Sequence, residues 1–186
     1  RVVYFLTLLS TGVATVVLGG ETPGWRYAVF LQNYQSPIPV WGVSWSLCVE
    51  EHFYLALPLV LGVALRFRGG VPVVLGLAAL GSLLARVLTV PDGASPWGLQ
   101  YTATHMRLEG LALGVAAAWV FHCRPALWPA LRRAGRVLAL PGLAFVAAVP
   151  WLPLDVVNRF AYTGVDLAFA AVLVAVADRS PLPLAS

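Results

Sequence analysis

The sequence predicts an all-α, polytopic transmembrane helical bundle of about six spans. Two observations predict it. First, 60% of the 186 residues are hydrophobic and only 11% are charged, whereas a soluble domain carries about 25% charged residues. A chain of this kind cannot cover itself with polar surface, so lipid is its solvent over most of its area. Second, the apolar residues gather in continuous runs rich in Ala, Leu and Gly, without the alternation a barrel strand requires.

The runs occupy residues 2–18, 45–65, 71–90, 108–121, 137–151 and 160–177. The first, fourth and fifth are short for a span, and tilt or a few flanking residues would complete them. Turn chemistry separates the runs: Gly19-Gly20, Gly69-Gly70, Pro91-Asp92-Gly93, Arg124-Pro125 and Pro153. The longest polar connection is residues 21–44, and neither an internal repeat nor a soluble domain is visible. The chain opens on Arg1 and its only methionine is Met106. It is therefore expected to be one part of a single membrane domain, residues 1–186, truncated at both ends.

Charge gives the orientation. The net charge of +4 comes from arginine alone, there being no lysine. Alternate connections place Arg1, Arg66, Arg68, Arg124, Arg132, Arg133, Arg136 and Arg179 on one side, against Arg26 and Arg159 on the other. The first side is expected to be cytoplasmic, and residues 25–44 to face outward. This bias accounts for the basic balance, so a nucleic-acid partner is not expected. Cys48 and Cys123 fall in different segments with no metal-ligand spacing, so neither a disulfide framework nor a metal site is indicated.

Charges inside spans cost about 2.5–3.5 kcal/mol each at a helix centre on insertion scales. Here they fall at one depth: Glu50 and Glu51 open the second run, Arg86 nears the outer end of the third, Arg107 and Glu109 open the fourth, and Asp166 lies in the outer part of the sixth. This layer of both signs suggests a polar chamber, with Asp166 expected to pair with Arg86 or Arg107. Each group also has a plainer reading. Glu50 and Glu51 suit a helix N-terminus that Ser46 caps. Arg86 can snorkel outward. Arg107 and Glu109, two residues apart, point to different faces and need partners on other helices. Ser46, Glu50, Tyr54 and Pro58 share one helical face, expected to tilt toward the chamber, and Pro58 is expected to kink the span. Gly110, Gly114 and Ala118 form a small-residue stripe suited to close helix packing. His52 and His105 read as interfacial polar residues rather than catalytic bases, and His122 as a residue of the cytoplasmic end. Trp25, Trp41, Trp45, Trp97 and Trp151 fit an outer aromatic belt.

The stretch "FLQNYQSPIPVWGVSWSLCVEEHFYLALPLVL" resembles the signature region of the integral-membrane acyltransferase family 3, whose members carry W-S-L-x-V-E-E-x-F-Y-x-x-x-P. Trp45, Ser46, Leu47, Val49, Glu50, Glu51, Phe53, Tyr54 and Pro58 match it, with Cys48 and His52 at variable places. Downstream, "THMRLEGLALGVAAAW" is similar to a second landmark through Arg107, Glu109, where Asp is commoner, and Gly114. "RVVYFL" is loosely similar to an Arg-rich helix start. The resemblance implies a membrane-bound O-acyltransferase that moves an acyl group, often acetyl, from acyl-CoA to a hydroxyl of a cell-envelope glycan or other glycoside. It implies a multi-pass protein of the cell membrane, the bacterial plasma membrane, with acyl-CoA as donor substrate and no bound cofactor. The family's base, a histidine, lies upstream of the matched region, so the catalytic residue is not assigned here and this chain alone is expected to be inactive. Supporting roles fall to Trp45, Ser46, Glu50, Glu51, Tyr54, Arg86, Arg107, Glu109 and Asp166. Glu50 or Glu51 would orient the base or bind acceptor hydroxyls, Arg86 or Arg107 would hold an anionic group or developing charge, and Trp45 and Tyr54 would stack on a sugar ring. The alternative is a multi-span transporter or flippase component with a buried charged pathway.

The orientation is testable. With Cys48 and Cys123 replaced by serine, Ser36→Cys should react with a membrane-impermeant maleimide in intact cells. Reaction only after lysis would reverse the assignment.

Overall fold

The computed structural model describes residues 2–18, 23–38 and 40–177, with side chains from residue 5 onward. Arg1, Arg179 and the Gly19-Gly20 break lie outside the described residues. Among the described residues the chain is helical and holds no strand. The six apolar runs become α1 (Val2–Leu18), α2 (Trp45–Ala64), α3 (Gly70–Thr89), α4 (Leu108–Cys123), α5 (Trp128–Ala148) and α6 (Leu154–Val176). Four segments are long and apolar enough to cross a bilayer: residues 42–64 with α2, α3, residues 125–151 with α5, and α6. This makes the chain a multi-pass membrane protein. The apolar parts of α1 and α4 are shorter, so the expected six spans correspond to four full-length ones and two shorter apolar helices.

Two helices begin earlier than the hydropathy suggested. α5 starts at Trp128, so Arg132, Arg133 and Arg136 sit on its first turns rather than in a loop. α6 starts at Leu154 and passes through a π-helical segment, Val157–Ala161, before its regular part. Asp166 therefore lies in the middle of α6, not near its start. α2 continues through Pro58 and α5 through Pro141.

The core follows one stripe of α3. Val71, Leu75, Ser82 and Arg86 are its buried residues, at the three-to-four spacing of one helical face. The apolar half, Val71 and Leu75, packs against Ala64 of α2 and Ala112 of α4. The polar half, Ser82 and Arg86, points into the turn before α4. α5 packs along α6 through small residues: a Cβ on Gly142 would come 2.9 Å from the Ala168 Cβ, and one on Gly135 would come 2.8 Å from the Ala171 carbonyl oxygen. In lipid, where association rests on van der Waals fit, such close approach is the main adhesive. On α4, Gly110 is tightly met but nothing lies within 4 Å of a Cβ on Gly114, so the expected stripe packs at one end only.

The long connection before α2 is held by buried polar side chains. The Tyr27 hydroxyl accepts the Val40 and Trp41 N–H groups, each at 3.2 Å. Gln32 Nε2 donates to Ser44 Oγ at 3.2 Å. Asn33 Nδ2 donates to the Thr102 carbonyl at 3.1 Å and to Thr104 Oγ1 at 2.8 Å. Trp25, Trp97 and Trp151 are exposed, as a belt requires, whereas Trp41 and Trp45 are half-buried.

Overpacking the α5–α6 seam should be costly. Gly142→Val should lower stability by about 1–3 kcal/mol. Gly76→Ala, with nothing within 4 Å of the new methyl, should be neutral or gain about 0.5–1 kcal/mol. Thermal unfolding of the purified protein in detergent compares the two, and equal melting temperatures would contradict the packing described.

Candidate functional site

At one end of the bundle the C-terminal part of α3, the start of α4 and the first half of α6 converge. Arg86 is fully buried. Its guanidinium donates to Glu109 Oε1 and to the Met106 carbonyl, to Thr163 Oγ1 at 2.5 Å, and through Nε to the Arg159 carbonyl at 3.3 Å. Thr163 Oγ1 donates in turn to Glu109 Oε1 at 3.1 Å. Arg86 does not snorkel: a charge this deep needs a counter-charge and filled donor positions, and it has both. Ser82, one turn earlier on the same face, donates to the His105 carbonyl at 2.9 Å and accepts the Leu108 N–H at 3.1 Å.

Helix α4 thus begins without a cap of its own. No side chain at Arg107 caps it, and its first N–H groups would otherwise be orphans. Ser82 of α3 takes the Leu108 N–H, and the Asp166 carboxylate of α6 lies against Gly110 in the first turn. A carboxylate at a helix start is also favoured by the helix dipole. Gly110 permits the approach, because a Cβ there would sit 3.0 Å from Asp166 Oδ1. The expectation that Asp166 pairs with Arg86 or Arg107 is corrected here. Among the described residues the buried pair is Arg86–Glu109, and no ion pair links Asp166 to either arginine.

Arg107 lies between two aromatic rings, 4.7 Å from the Tyr162 centroid and 5.7 Å from that of Trp45. Its Nε and Nη1 are buried and have no hydrogen-bond partner among the described residues. The Arg86 guanidinium carbon lies 5.7 Å from the same Tyr162 ring. The two arginines thus differ in kind. Arg86 is consumed by structure, while Arg107 is held by ring faces that leave its donors unused.

The rest of the signature behaves differently from expectation. Glu50 and Glu51 lie beyond the first turn of α2, which contains no acid, and the dipole's influence fades within that turn. Ser46 does not cap the helix; its hydroxyl donates back to the Val43 carbonyl at 3.4 Å. The face of Ser46, Glu50, Tyr54 and Pro58 turns away from the core of the described residues: Glu50, Tyr54 and Pro58 are exposed and Ser46 is half-buried. The inward face is Cys48, Val49 and Phe53, with half-buried His52 beside it. His52 Nδ1 lies 2.7 Å from Thr104 Oγ1, which also accepts from Asn33. His105 is exposed and stacks on Tyr34 with ring centroids 5.8 Å apart. Arg86, Arg107, Glu109 and Asp166 are thus brought together with Trp45, whereas Glu50 and Tyr54 are not. Among the described residues no group of His, Cys, Asp and Glu side chains could hold a metal ion.

Several contributors escaped the sequence reading: Ser82, Tyr101, Thr104, Tyr162 and Thr163. The usable signal was spacing. Ser82 precedes Arg86 by one turn, and Thr163 precedes Asp166 by three residues, so each uncharged polar group shares a face with a charge. Comparison with family models, curated proteins and solved structures finds no match for this chain.

Removing one member of the buried pair should strand the other. Arg86→Met and Glu109→Met should each cost about 3–5 kcal/mol, and Arg86→Met/Glu109→Met should recover part of that loss. Detergent-stable yield and melting temperature report it. A double variant no better than the sum of the singles would dissolve the pair.

Proposed function

We propose that this chain is part of a membrane-bound O-acyltransferase of the acyltransferase family 3 kind, which moves an acyl group, often acetyl, from acyl-CoA to a hydroxyl of a cell-envelope glycan or other glycoside. The observation that carries the reading is the meeting of its two landmark motifs. Trp45 of the first lies against the Arg107 guanidinium of the second, and His52 reaches Thr104 beside it. Motifs far apart in sequence that converge on a cation with unused donors are what a shared reaction centre requires.

Acyl transfer to a hydroxyl needs a base for the proton, an oriented acceptor, and donors for the tetrahedral oxyanion that forms as oxygen attacks the thioester carbonyl. Arg107 suits the last task, because its Nε and Nη1 are committed to no protein acceptor. Arg86 does not, because Glu109, Thr163 and two carbonyls occupy it. Asp166 and Glu109 act behind Arg107, fixing the start of α4 that carries it. The base is assigned to a histidine outside this chain. Glu50 and Glu51 keep the roles the resemblance gives them, orienting that base or binding acceptor hydroxyls. The bundle end bearing Arg66, Arg68, Arg124, Arg132, Arg133 and Arg136 faces the cytoplasm of a bacterial plasma membrane on this reading, and the Arg107 end faces outward. The Arg86 and Glu109 side chains are 0% and 1% exposed and paired with each other, which favours a structural role for this pair over the charged pathway of the transporter or flippase alternative.

In the full-length protein, Arg107→Gln, Glu50→Gln and Glu51→Gln should each lower transfer of radiolabelled acyl groups into envelope glycans by about ten-fold or more, equivalent to about 1.4 kcal/mol in the barrier, with expression maintained. Near-normal turnover in all three variants would retire the reading.

A further inference from the structure

At the end of the bundle opposite Arg107, a cleft of about 320 Å³ lies between the C-terminal parts of α2 and α4 and the start of α3. Leu61, Leu65, Val71, Val115 and Ala118 wall it together with the Trp119 ring. His122 and Cys123 complete a lining that is otherwise apolar. Leu65 is 70% exposed and Ala118 is exposed. The cleft therefore opens on the outside of the bundle, where a multi-pass protein meets lipid tails.

Cations gather at its mouth. Arg66 follows Leu65 and Arg124 follows Cys123, so two walls of the cleft each lead directly into an arginine. The Arg124 guanidinium carbon lies 5.4 Å from the centroid of Trp119, a contact that holds the cation to the cleft wall and leaves its N–H donors open. Arg68 shares the turn between α2 and α3. That turn doubles back tightly, since a Cβ on Gly70 would overlap the Ala64 carbonyl oxygen. Among the described residues none of these three arginine side chains has an ion pair or hydrogen bond. The described acids lie elsewhere: Glu50 and Glu51 in the first half of α2, Glu109 at the start of α4, Asp166 in mid-α6, and Asp92 and Asp155 around the opposite end. The bias of loop arginines toward one side accounts for their presence at this end. It calls for neither a hollow nor a guanidinium stacked on its wall.

We infer that this cleft seats an anionic phospholipid, with one acyl chain along Leu61, Leu65, Val115 and Trp119 and the phosphate held by Arg124 and the Arg66–Arg68 turn. Guanidinium groups match phosphate oxygens in charge and in donor geometry, and basic pockets between membrane helices are the form such lipid sites take. A neutral-headed lipid would fill the hollow and leave three cations without a counter-charge. Free phosphate would meet the cations and leave the hollow to water. Acyl-CoA carries phosphates and a chain, but its long polar linker would meet only the Trp119 indole, His122 and Cys123 as polar partners in the lining. The inference goes beyond the acyltransferase reading and does not depend on it, because it uses only the membrane character of the chain.

The test is lipid selectivity of the full-length protein, with no acyl acceptor present. The protein is reconstituted in nanodiscs of equal parts dioleoylphosphatidylglycerol and dioleoylphosphatidylcholine, and the lipids it retains on release are counted by native mass spectrometry. Retained phosphatidylglycerol should exceed phosphatidylcholine by about ten-fold or more. Arg124→Gln and Arg66→Gln/Arg68→Gln should each reduce that preference, by about five-fold per arginine removed. Arg26→Gln, an exposed arginine on the connection before α2, should leave it unchanged. Ala118→Phe, which fills the cleft and spares the arginines, should abolish the retention, while Ala118→Ser, of similar size, should keep it. Equal retention of the two lipids overturns the inference, as does a preference that survives loss of all three arginines or falls as far in Arg26→Gln as in Arg124→Gln. A preference indifferent to Ala118→Phe also overturns it, because that result reports surface charge and no seated chain. Displacement of the retained phosphatidylglycerol by equimolar oleoyl-CoA assigns the cleft to an acyl donor and overturns it as well.

Discussion

The buried guanidinium of Arg86 sets the constraints for its end of the bundle. A charge with no exposure must find its counter-charge and hydrogen-bond acceptors within the protein. Here they come from separate pieces of chain: a carboxylate and a carbonyl around the start of α4, and a hydroxyl and a carbonyl from the first half of α6. Apolar contacts tolerate small slides, but this set of acceptors does not. The apolar half of the α3 stripe supplies contact with α2 and α4, and the polar half selects one register among those that contact would allow. An ion pair of this kind adds little net stability over a well-packed apolar substitute. Its effect is on geometry.

From that geometry follows the division of labour between the two arginines. Anchoring α3 against the turn before α4 brings Ser82 under the Leu108 N–H, and the facing turn of α6 brings the Asp166 carboxylate against Gly110. Ser82 accepts at the start of α4, a task a donor-only guanidinium could not perform, and Glu109 is taken by Arg86. Trp45 and Tyr162 fix the position of Arg107 by their ring faces, an attraction that leaves N–H donors unspent. A cation held in place without being neutralised by hydrogen bonds suits the stabilisation of negative charge that appears only during a reaction.

The sequence carried the helices well and the pairings poorly, for physical reasons. Continuous apolar runs report location better than length, so each of the six runs coincides with a long helix, although α5 and α6 start earlier than their runs. The start of α5 was missed because its first turns are amphipathic: Arg132, Arg133 and Arg136 lower the local hydropathy without breaking the helix. Charges were legible by depth but not by partner. Sign balance treats Asp166 as a partner for any arginine, whereas the packing of α6 sets its carboxylate against Gly110 of α4. Spacing likewise shows that Ser46, Glu50, Tyr54 and Pro58 share a face of α2, but not which face turns inward. Burial favours the more apolar side, and Cys48, Val49 and Phe53 occupy it. No residue pattern foretold that Gln32 and Asn33 are buried, because their partners lie in distant turns.

The segment from Leu99 to Arg107 joins the buried contacts of Arg86 to an aromatic cleft beside them. It is a helical turn, Leu99–Thr102, followed by a 3₁₀ turn, Thr104–Met106, with Ala103 fully buried between them. Tyr101 and Thr102 line that cleft with Trp45 and Trp97. Thr104 contacts His52 and Asn33, the carbonyls of His105 and Met106 receive Ser82 and Arg86, and Arg107 ends the segment between its two rings. The segment therefore runs directly from the cleft into the buried lock. The lock cannot shift without moving the wall formed by Tyr101 and Thr102. The costly burial of one charge is thereby tied, through a few residues of chain, to the shape of the cleft beside it.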